Sequence, residues 1–346
     1  MPYIKQELGG FSWGLTLKEI VEALALLRRV KTPYLVYDNA FKSYTCRDLA
    51  WLSATTAQGS IVAPYTIEHD YRDADSCKGW GTVSVCNSAF KFPVELISHK
   101  DRMVRRFSEE GRLGKGDRGC PRLCDFHKDA DRPVFGIQEA SYFDQVGTNL
   151  SVDFPFSEEL EVSGHPCSSV RVWDMKQASL AGQPPSFAAS RLANTIGIAV
   201  GVTAKDGNGH PHPLKRKRSE KVAVFAGEWH VPFSFALAWK ETLALGDTLA
   251  LSDLIAEDWG HELAQELGLE VSDFERPRPL VFCRDMVRGG KPQFFFEMAS
   301  RKSLEDLEWS VGSDESEYVG KIETADVLLK SYSPELLAFS LLTLAK

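Results

Sequence analysis

The sequence predicts a mixed α/β fold in which helices cover the faces of one sheet of several strands. Three segments in the second part of the chain indicate it. Residues 195–203 are almost continuously apolar, as in a strand buried on both faces. Residues 255–267 place apolar side chains at helical spacing, and residues 279–298 hold two apolar runs on either side of a diglycine turn. Elements in this mixed order are typical of one sheet with helices on its faces.

Composition sets the broad class of the protein. The chain has 346 residues, 43% of them hydrophobic and 25% charged, which is ordinary for a globular protein of one large or two smaller domains. A formal charge of -8 argues against nucleic acid as the main partner. No apolar run approaches a membrane span, and the N-terminus lacks an apolar signal core. We therefore expect a cytoplasmic protein without a membrane partner.

Seven scattered cysteines indicate reduced thiols rather than a disulfide framework. Cys120, Cys124 and His127 are spaced so that they could supply zinc ligands. Their spacing is not that of a common zinc knuckle. The sequence leaves zinc binding by these three residues open.

The first half of the chain is harder to interpret from periodicity. We predict helices over 15–30 and 101–110, with a loop between 111 and 132 that is rich in Gly, Lys, Arg, Asp and Pro. The strands that we predict here are 33–38, 61–65, 80–85, 90–97, 134–138, 150–154 and 170–173. The predicted division is an N-terminal α/β extension over 1–130, a strand-rich extension over 131–191 and a last domain over 192–346.

In the last domain, the apolar strand over 195–203 is followed by residues typical of a hairpin turn. Residues 205–209 have the composition of a hairpin turn. Residues 214–218 and 222–225 are predicted to form the returning strand, and the basic side chains of the first run are expected on a solvated strand face. Residues 332–345 are predicted to form a terminal helix.

The helix near residue 260 carries two stripes. Asp258, Glu262 and Glu266 recur every fourth residue and form an acidic line along one face. The apolar line about a quarter-turn away is Ile255, Trp259, Leu263 and Leu267. A helix that is buried on one side and carries carboxylates on the next is suited to hold a hard cation. The alternative is a solvated helix with ordinary acidic residues.

Residues 261–269 resemble the signature of the Nudix family, whose core reads Gly-x5-Glu-x7-Arg-Glu-U-x-Glu-Glu-x-Gly-U, with U aliphatic. The residues that match are Glu262, Leu263, Glu266, Gly268 and Leu269. His261 stands where the family has arginine, and Gln265 replaces the first of the paired glutamates. The segment 214–230, with Trp229 after a turn, resembles the strand pair that precedes the family's catalytic loop. The resemblance covers roughly residues 192–346 and implies a Nudix-like α/β/α sandwich.

The resemblance implies a metal-dependent hydrolase that cleaves the diphosphate of a nucleoside diphosphate linked to another moiety. It places Mg²⁺ or Mn²⁺ on Glu262 and Glu266, with Asp258 extending the line. Trp229, Arg216 and Arg218 are the candidate contacts for a small nucleotide substrate, and a homo-oligomer is left open.

Two departures from the family keep a second function open. The amide of Gln265 offers no charge to a cation, and His261 lacks the fixed fork of arginine. The alternative is a catalytically weakened Nudix-fold module that binds a nucleotide or regulates a partner. A scaffold with a merely solvated acidic helix is the third possibility.

Overall fold

The computed structural model describes most of the chain in twelve ranges. They are 6–8, 11–13, 37–56, 59–72, 80–113, 116–180, 182–219, 222, 225–267, 269–307, 316–321 and 332–344. The predicted helix over 15–30 and most of the predicted strand over 33–38 lie outside these ranges.

Strands outnumber helices in the described ranges. The helices are α1 (Tyr37–Ser43), α2 (Ile97–Glu109), α3 (Tyr142–Val146), α4 (Val170–Gln177), α5 (Leu251–Leu267) and α6 (Pro334–Leu344). The strands are β1 (Gln6–Leu8), β2 (Phe11–Trp13), β3 (Trp51–Thr56), β4 (Gly59–Asp70), β5 (Thr82–Val85), β6 (Gly119–Asp129), β7 (Arg132–Ser141), β8 (Pro155–Val162), β9 (His165–Ser169), β10 (Gly197–Lys205), β11 (Pro211–Arg218), β12 (Trp229–His230), β13 (Phe233–Ala236), β14 (Thr248–Ala250), β15 (Arg278–Asp285), β16 (Lys291–Ser303) and β17 (Ser316–Lys321).

The largest sheet has nine strands and mixed direction. Its order is β12-β11-β10-β16-β15-β4-β3, with β13 beside β10 and β17 beside β11. The neighbours β10 and β16 run parallel, whereas β16 pairs with β15 antiparallel through the predicted diglycine turn. The predicted mixed α/β class is confirmed, as are the strand over 195–203 and the terminal helix.

The two faces of this sheet are covered by different helices. Ile198 and Val200 of β10, with Phe294 and Phe296 of β16, lie in the core on the α5 side. The alternate residues Ala199 and Phe295 lie in the core that α6 covers, with Leu336, Phe339 and Leu342. Because side chains alternate along a strand, apolar residues at every position bury both faces. This gives the α/β/α layering that the sequence predicts.

Helix α6 lies very close to the centre of the sheet. A Cβ atom added to Gly201 would lie 1.8 Å from the ring of Phe339. The missing side chain therefore gives the aromatic ring its place against β10. This contact fixes α6 over the strand that is central to the sheet.

A second sheet supports α5 from its own side. Its order is β14-β5-β7-β6, and its residues Val83, Phe135 and Ile137 join the same core as α5. Strand β14 ends at Ala250, and α5 begins at the next residue. The start of α5 is therefore tied to this sheet through the pairing of β14 with β5.

Several predictions for the first half are wrong. Residues 119–129, predicted as loop, form β6, whose charged end belongs to an exposed hairpin with β7. Residues 90–97 hold a short 3₁₀ turn and the start of α2, because Pro93 has no N–H for a strand ladder. Residues 150–154 begin inside a 3₁₀ turn over Asn149–Ser151, where the Ser151 hydroxyl donates to the carbonyl of Val146.

Two further strand predictions are wrong for local reasons. Residues 170–173 begin helix α4, because the side chain of Ser169 caps it by accepting from the Val172 N–H. The described residues of 222–225 lie outside any strand, and Phe225 adopts a φ of 55°. Positive φ does not fit an extended ladder.

Pairing crosses the predicted domain boundaries. Strands β3 and β4 belong to the nine-stranded sheet, next to β15. Residue 130 lies in the turn between β6 and β7. The first 130 residues thus contribute to the same sheet as the last domain, while a division into three separately folding units stays a prediction.

Among the described residues, the helices are all too short or too polar to cross a lipid bilayer.

Candidate functional site

Helix α5 carries the predicted apolar line and begins earlier than that line. Ile255, Trp259 and Leu263 are buried, as predicted. The indole of Trp259 meets the rings of Phe233, Phe235 and Phe296 edge-on, with centroids 5.5, 6.2 and 5.4 Å away. Edge-to-face contacts of this kind add to the burial of apolar surface. They fix α5 against β13 and the centre of the sheet.

The acidic line has one member with a defined partner. Asp258 is half-buried, and its Oδ2 accepts a hydrogen bond from the backbone N–H of Ala238 at 2.9 Å. It therefore holds the segment after β13 to the helix. The backbones of Glu262 and Glu266 lie in the second half of α5. His261, which precedes Glu262, is exposed. Among the side chains that the structure describes, no three His, Cys, Asp or Glu residues are grouped to hold a metal ion.

The basic run on β11 is buried, so the predicted solvated face is wrong. Lys215 and Arg218 are buried, and Arg216 has no exposed surface. The ammonium of Lys215 lies 4.7 Å from the ring of Trp229 and 5.9 Å from that of Tyr332. Trp229 is thus occupied in packing under a cation. Burial of this kind forces the three cations to find partners inside the protein.

His230 follows Trp229 and lies at the centre of a hydrogen-bonded chain. Its Nδ1 is 2.5 Å from Ser333 Oγ, and its Nε2 is 2.7 Å from Ser234 Oγ. The ring is fully buried. Burial, followed by the charges of Arg218, Arg216 and Arg288, holds the pKa of His230 well below its usual value. The imidazole is therefore neutral at neutral pH.

An ionic group joins the start of α6 to the β15–β16 turn. Arg288 pairs with Glu335 and lies 3.2 Å from Asp285 through its Nε. All three residues are buried. Glu335 also approaches Nδ1 of His230, at 3.9 Å. Because a buried charge is costly without a partner, these pairs must form together.

Lys291 belongs to the same region but differs from its neighbours. It is 2% exposed, and its ammonium interacts electrostatically with Arg288, Asp285 and Glu335. Burial, followed by the charge of Arg288, lowers the pKa of Lys291 to about 7. A Cβ atom on Gly197 would lie 2.3 Å from Nζ, so a side chain at that position would require the buried ammonium to shift.

Sequence reasoning did not find this polar cluster, which consists of His230, Ser234, Asp285, Arg288, Lys291, Ser333 and Glu335. The diglycine turn was predicted, but the charges beside it were not singled out. A usable signal was present. Asp285, Arg288 and Lys291 recur every third residue around the turn, between two apolar strands. Charges in that setting must be buried or interrupt the strands.

The candidate zinc ligands lie along one strand. Cys120, Cys124 and His127 are all on β6, where His127 Nδ1 contacts Asp125 at 2.9 Å. Cys124 instead meets Cys86, with the two sulfurs 2.8 Å apart. The three residues therefore do not converge on one point.

Comparison with known proteins gives a likeness in structure and none in sequence families. No family model and no curated protein matches the chain. A Nudix hydrolase from M. smegmatis, RenU, is 16% identical over 44% of this chain and 83% of its own, with a TM-score of 0.27. The NUDIX domain of Shewanella oneidensis NrtR, complexed with ADP ribose, is 17% identical over 44% of this chain and 83% of its own, with a TM-score of 0.28. A C. elegans Ap4A hydrolase is 15% identical over 43% of this chain and 92% of its own, with a TM-score of 0.27.

These solved structures are Nudix proteins, which is the family that residues 261–269 resemble. The likeness covers less than half of the chain, and its TM-scores are low.

Proposed function

We propose that the protein is a Nudix-like hydrolase that cleaves the diphosphate of a nucleoside diphosphate linked to another moiety, with a divalent metal. The observation that carries the proposal is the setting of α5. Its apolar face is fixed by Trp259 against β13, and β13 is a neighbour of β10 in the sheet that also holds Arg216 and Arg218. The helix that carries the glutamates of the Nudix signature thus packs against the same sheet that contains the buried Arg216 and Arg218.

The donor set fits a hard cation. Glu262 and Glu266 are one helical turn apart and would offer carboxylate oxygens, which Mg²⁺ and Mn²⁺ prefer. Asp258, whose Oδ2 accepts a hydrogen bond from the Ala238 N–H, would extend this line of carboxylates toward the start of the helix. Such an ion would shield phosphate oxygens and lower the pKa of an attacking water.

The protein's own cations would act mainly through their field. Arg216 and Arg218 are buried, so their charges are weakly screened by solvent. Preorganised positive charge of this kind favours a substrate whose negative charge grows in the transition state. On this proposal, the two guanidinium groups bias the site toward diphosphates, and Trp229 holds the strand beside them.

The test is turnover of a panel of nucleoside diphosphate sugars, dinucleotides and nucleoside triphosphates with Mg²⁺ or Mn²⁺. Glu266→Gln should abolish turnover while leaving the far-ultraviolet circular dichroism spectrum unchanged. Glu241→Gln, an exposed glutamate outside α5, is the matched control and should retain full activity. Full activity in Glu266→Gln would contradict the metal assignment.

A second function is favoured by Gln265, whose amide carries no charge where the family has a glutamate. With less negative charge to hold several cations, the protein would bind a nucleotide without cleaving it. Calorimetry would then give tight nucleotide binding with no turnover of any compound in the panel. A metal-dependent rise in melting temperature in the same samples would support a metal site on α5. No such rise would favour the third possibility, a scaffold in which the acidic helix is merely solvated.

A further inference from the structure

The chain Ser234–His230–Ser333 has a geometry that the proposed metal site does not use. His230 and Ser234 lie four residues apart, on β12 and β13, and the turn between these strands brings their side chains into contact. Ser333 is the residue directly before α6, and it lies more than one hundred positions after His230 in the sequence. Three separate elements thus converge on one imidazole.

The orientation of Ser234 is fixed by its neighbours. Phe233 and Phe235 stack with an interplanar angle of 1°, and both meet Trp259 on the α5 side. Because side chains alternate along a strand, Ser234 points to the opposite face, where α6 begins. It is half-buried, whereas His230, Ser333 and Glu335 are buried.

The ring of His230 can take either tautomer, and the contact of Arg218 with Ser234 favours one of them. Nη1 of Arg218 donates to Ser234 Oγ at 3.4 Å, so the serine hydroxyl proton is available to Nε2 of His230. The neutral imidazole then carries its proton on Nδ1, which faces Ser333 Oγ and, at 3.9 Å, the carboxylate of Glu335. Serine, neutral histidine and an orienting group in this order form the arrangement of an activated nucleophile.

We propose that Ser234 is a nucleophile toward phosphorus in phosphate esters and anhydrides, with His230 as its base. Ser333 and Glu335 act as positioning residues that orient the imidazole and stabilise its cation. Arg218 favours phosphorus electrophiles, because its charge lies beside the oxygen that attacks. This activity needs no metal and does not use the glutamates of α5, while the charge of Arg218 would serve both sites.

The step balances as follows. The Ser234 Oγ–phosphorus bond forms, the bond from phosphorus to the leaving oxygen breaks, and the serine proton passes to Nε2 of His230 and then to the leaving oxygen. Water next attacks phosphorus and gives a proton to Nε2. The serine oxygen leaves, recovers that proton, and the free phosphate departs.

The test uses the full chain in EDTA with two phosphorus electrophiles, an alkyl fluorophosphonate and p-nitrophenyl phosphate. Peptide mass spectrometry should place the phosphonyl group, formed with loss of fluoride, on Ser234. Acid quenching of the second reaction should trap phosphoserine at the same residue. Ser234→Ala should abolish both adducts. Ser300→Ala, at a half-buried serine whose hydroxyl bonds to the backbone of Lys302 on the same strand, should leave them unchanged.

Ser333→Ala gives the second measurement, because a change at His230 itself risks unfolding. It should slow phosphonylation about tenfold, the scale of one lost hydrogen bond, while the mass of the adduct stays the same. No adduct on Ser234 with either reagent overturns the proposal. An adduct that forms at the same rate in Ser333→Ala overturns the role of the positioning chain.

Discussion

The two faces of the nine-stranded sheet are stabilised by different physics. The α5 face is a continuous aromatic layer in which Trp259, Phe233 and Phe296 meet at 5.4 to 5.5 Å. The α6 face is apolar around Phe339 but ends in the polar cluster, where Arg288 and Glu335 are both buried. Each apolar contact contributes separately, whereas each buried charge depends on its partner. Conservative changes that keep most of a side chain should therefore cost less on the first face than the loss of one charged partner costs in the polar cluster.

The largest effect is expected for Glu335→Ala. It leaves Arg288 buried with Asp285 alone, and it removes the carboxylate near His230. Breaking one side of a buried pair costs about 3 to 5 kcal/mol. Urea unfolding followed by tryptophan fluorescence measures the loss.

The matched control for this change is Glu297→Ala, whose partner Arg278 has 42% of its side chain exposed. An exposed pair contributes less than about 1 kcal/mol. If both substitutions cost the same, the polar cluster does not stabilise the start of α6, and the contrast between the faces fails.

A smaller effect is expected for Trp259→Phe on the aromatic face. Removing three buried heavy atoms costs about 2 to 3 kcal/mol by itself. The buried Nε1–H of Trp259 has no partner among the described residues, so its loss returns part of that cost. The net loss in the free energy of unfolding should be about 1 kcal/mol.

Calorimetric melting of Trp259→Phe beside Trp259→Ala separates these two contributions. The alanine variant should lose about 3 to 5 kcal/mol, because the cavity remains. Equal losses in the two variants would mean that the aromatic layer does not tolerate a smaller ring. The face would then resemble the polar cluster in its sensitivity.

Sequence reasoning worked where one pattern decides the structure. The apolar run at 195–203, the diglycine turn and the buried line of Trp259 and Leu263 were confirmed. It failed where a single polar contact decides, as with the Ser169 cap that turns 170–173 into helix. Such contacts leave no periodicity in the sequence.

The candidate sites divide in the same way. Glu262 and Glu266 could be predicted because helical spacing and a family signature fall on one segment, and their role stays a prediction. The Ser234–His230–Ser333 chain could not, since its members are brought together only by sheet pairing and by α6. Arg216 was expected on a solvated strand face and is buried, because the charge of a segment does not predict which other elements cover it.

The smallest effect tests Lys291, which introduces a pH dependence that the aromatic face lacks. Its pKa is about 7 in the folded protein and 10.5 in an ordinary lysine. Between these values the unfolded chain binds the additional proton, so the free energy of unfolding rises with pH. Lys291→Met should remove this slope, a difference of about 1 kcal/mol between pH 8 and pH 9. Urea titrations at the two pH values measure it in both proteins, and the subtraction cancels all other titrating groups. Parallel pH profiles would show that the buried amine keeps its proton, and the polar cluster would then hold one more cation than a pKa of about 7 implies at these pH values.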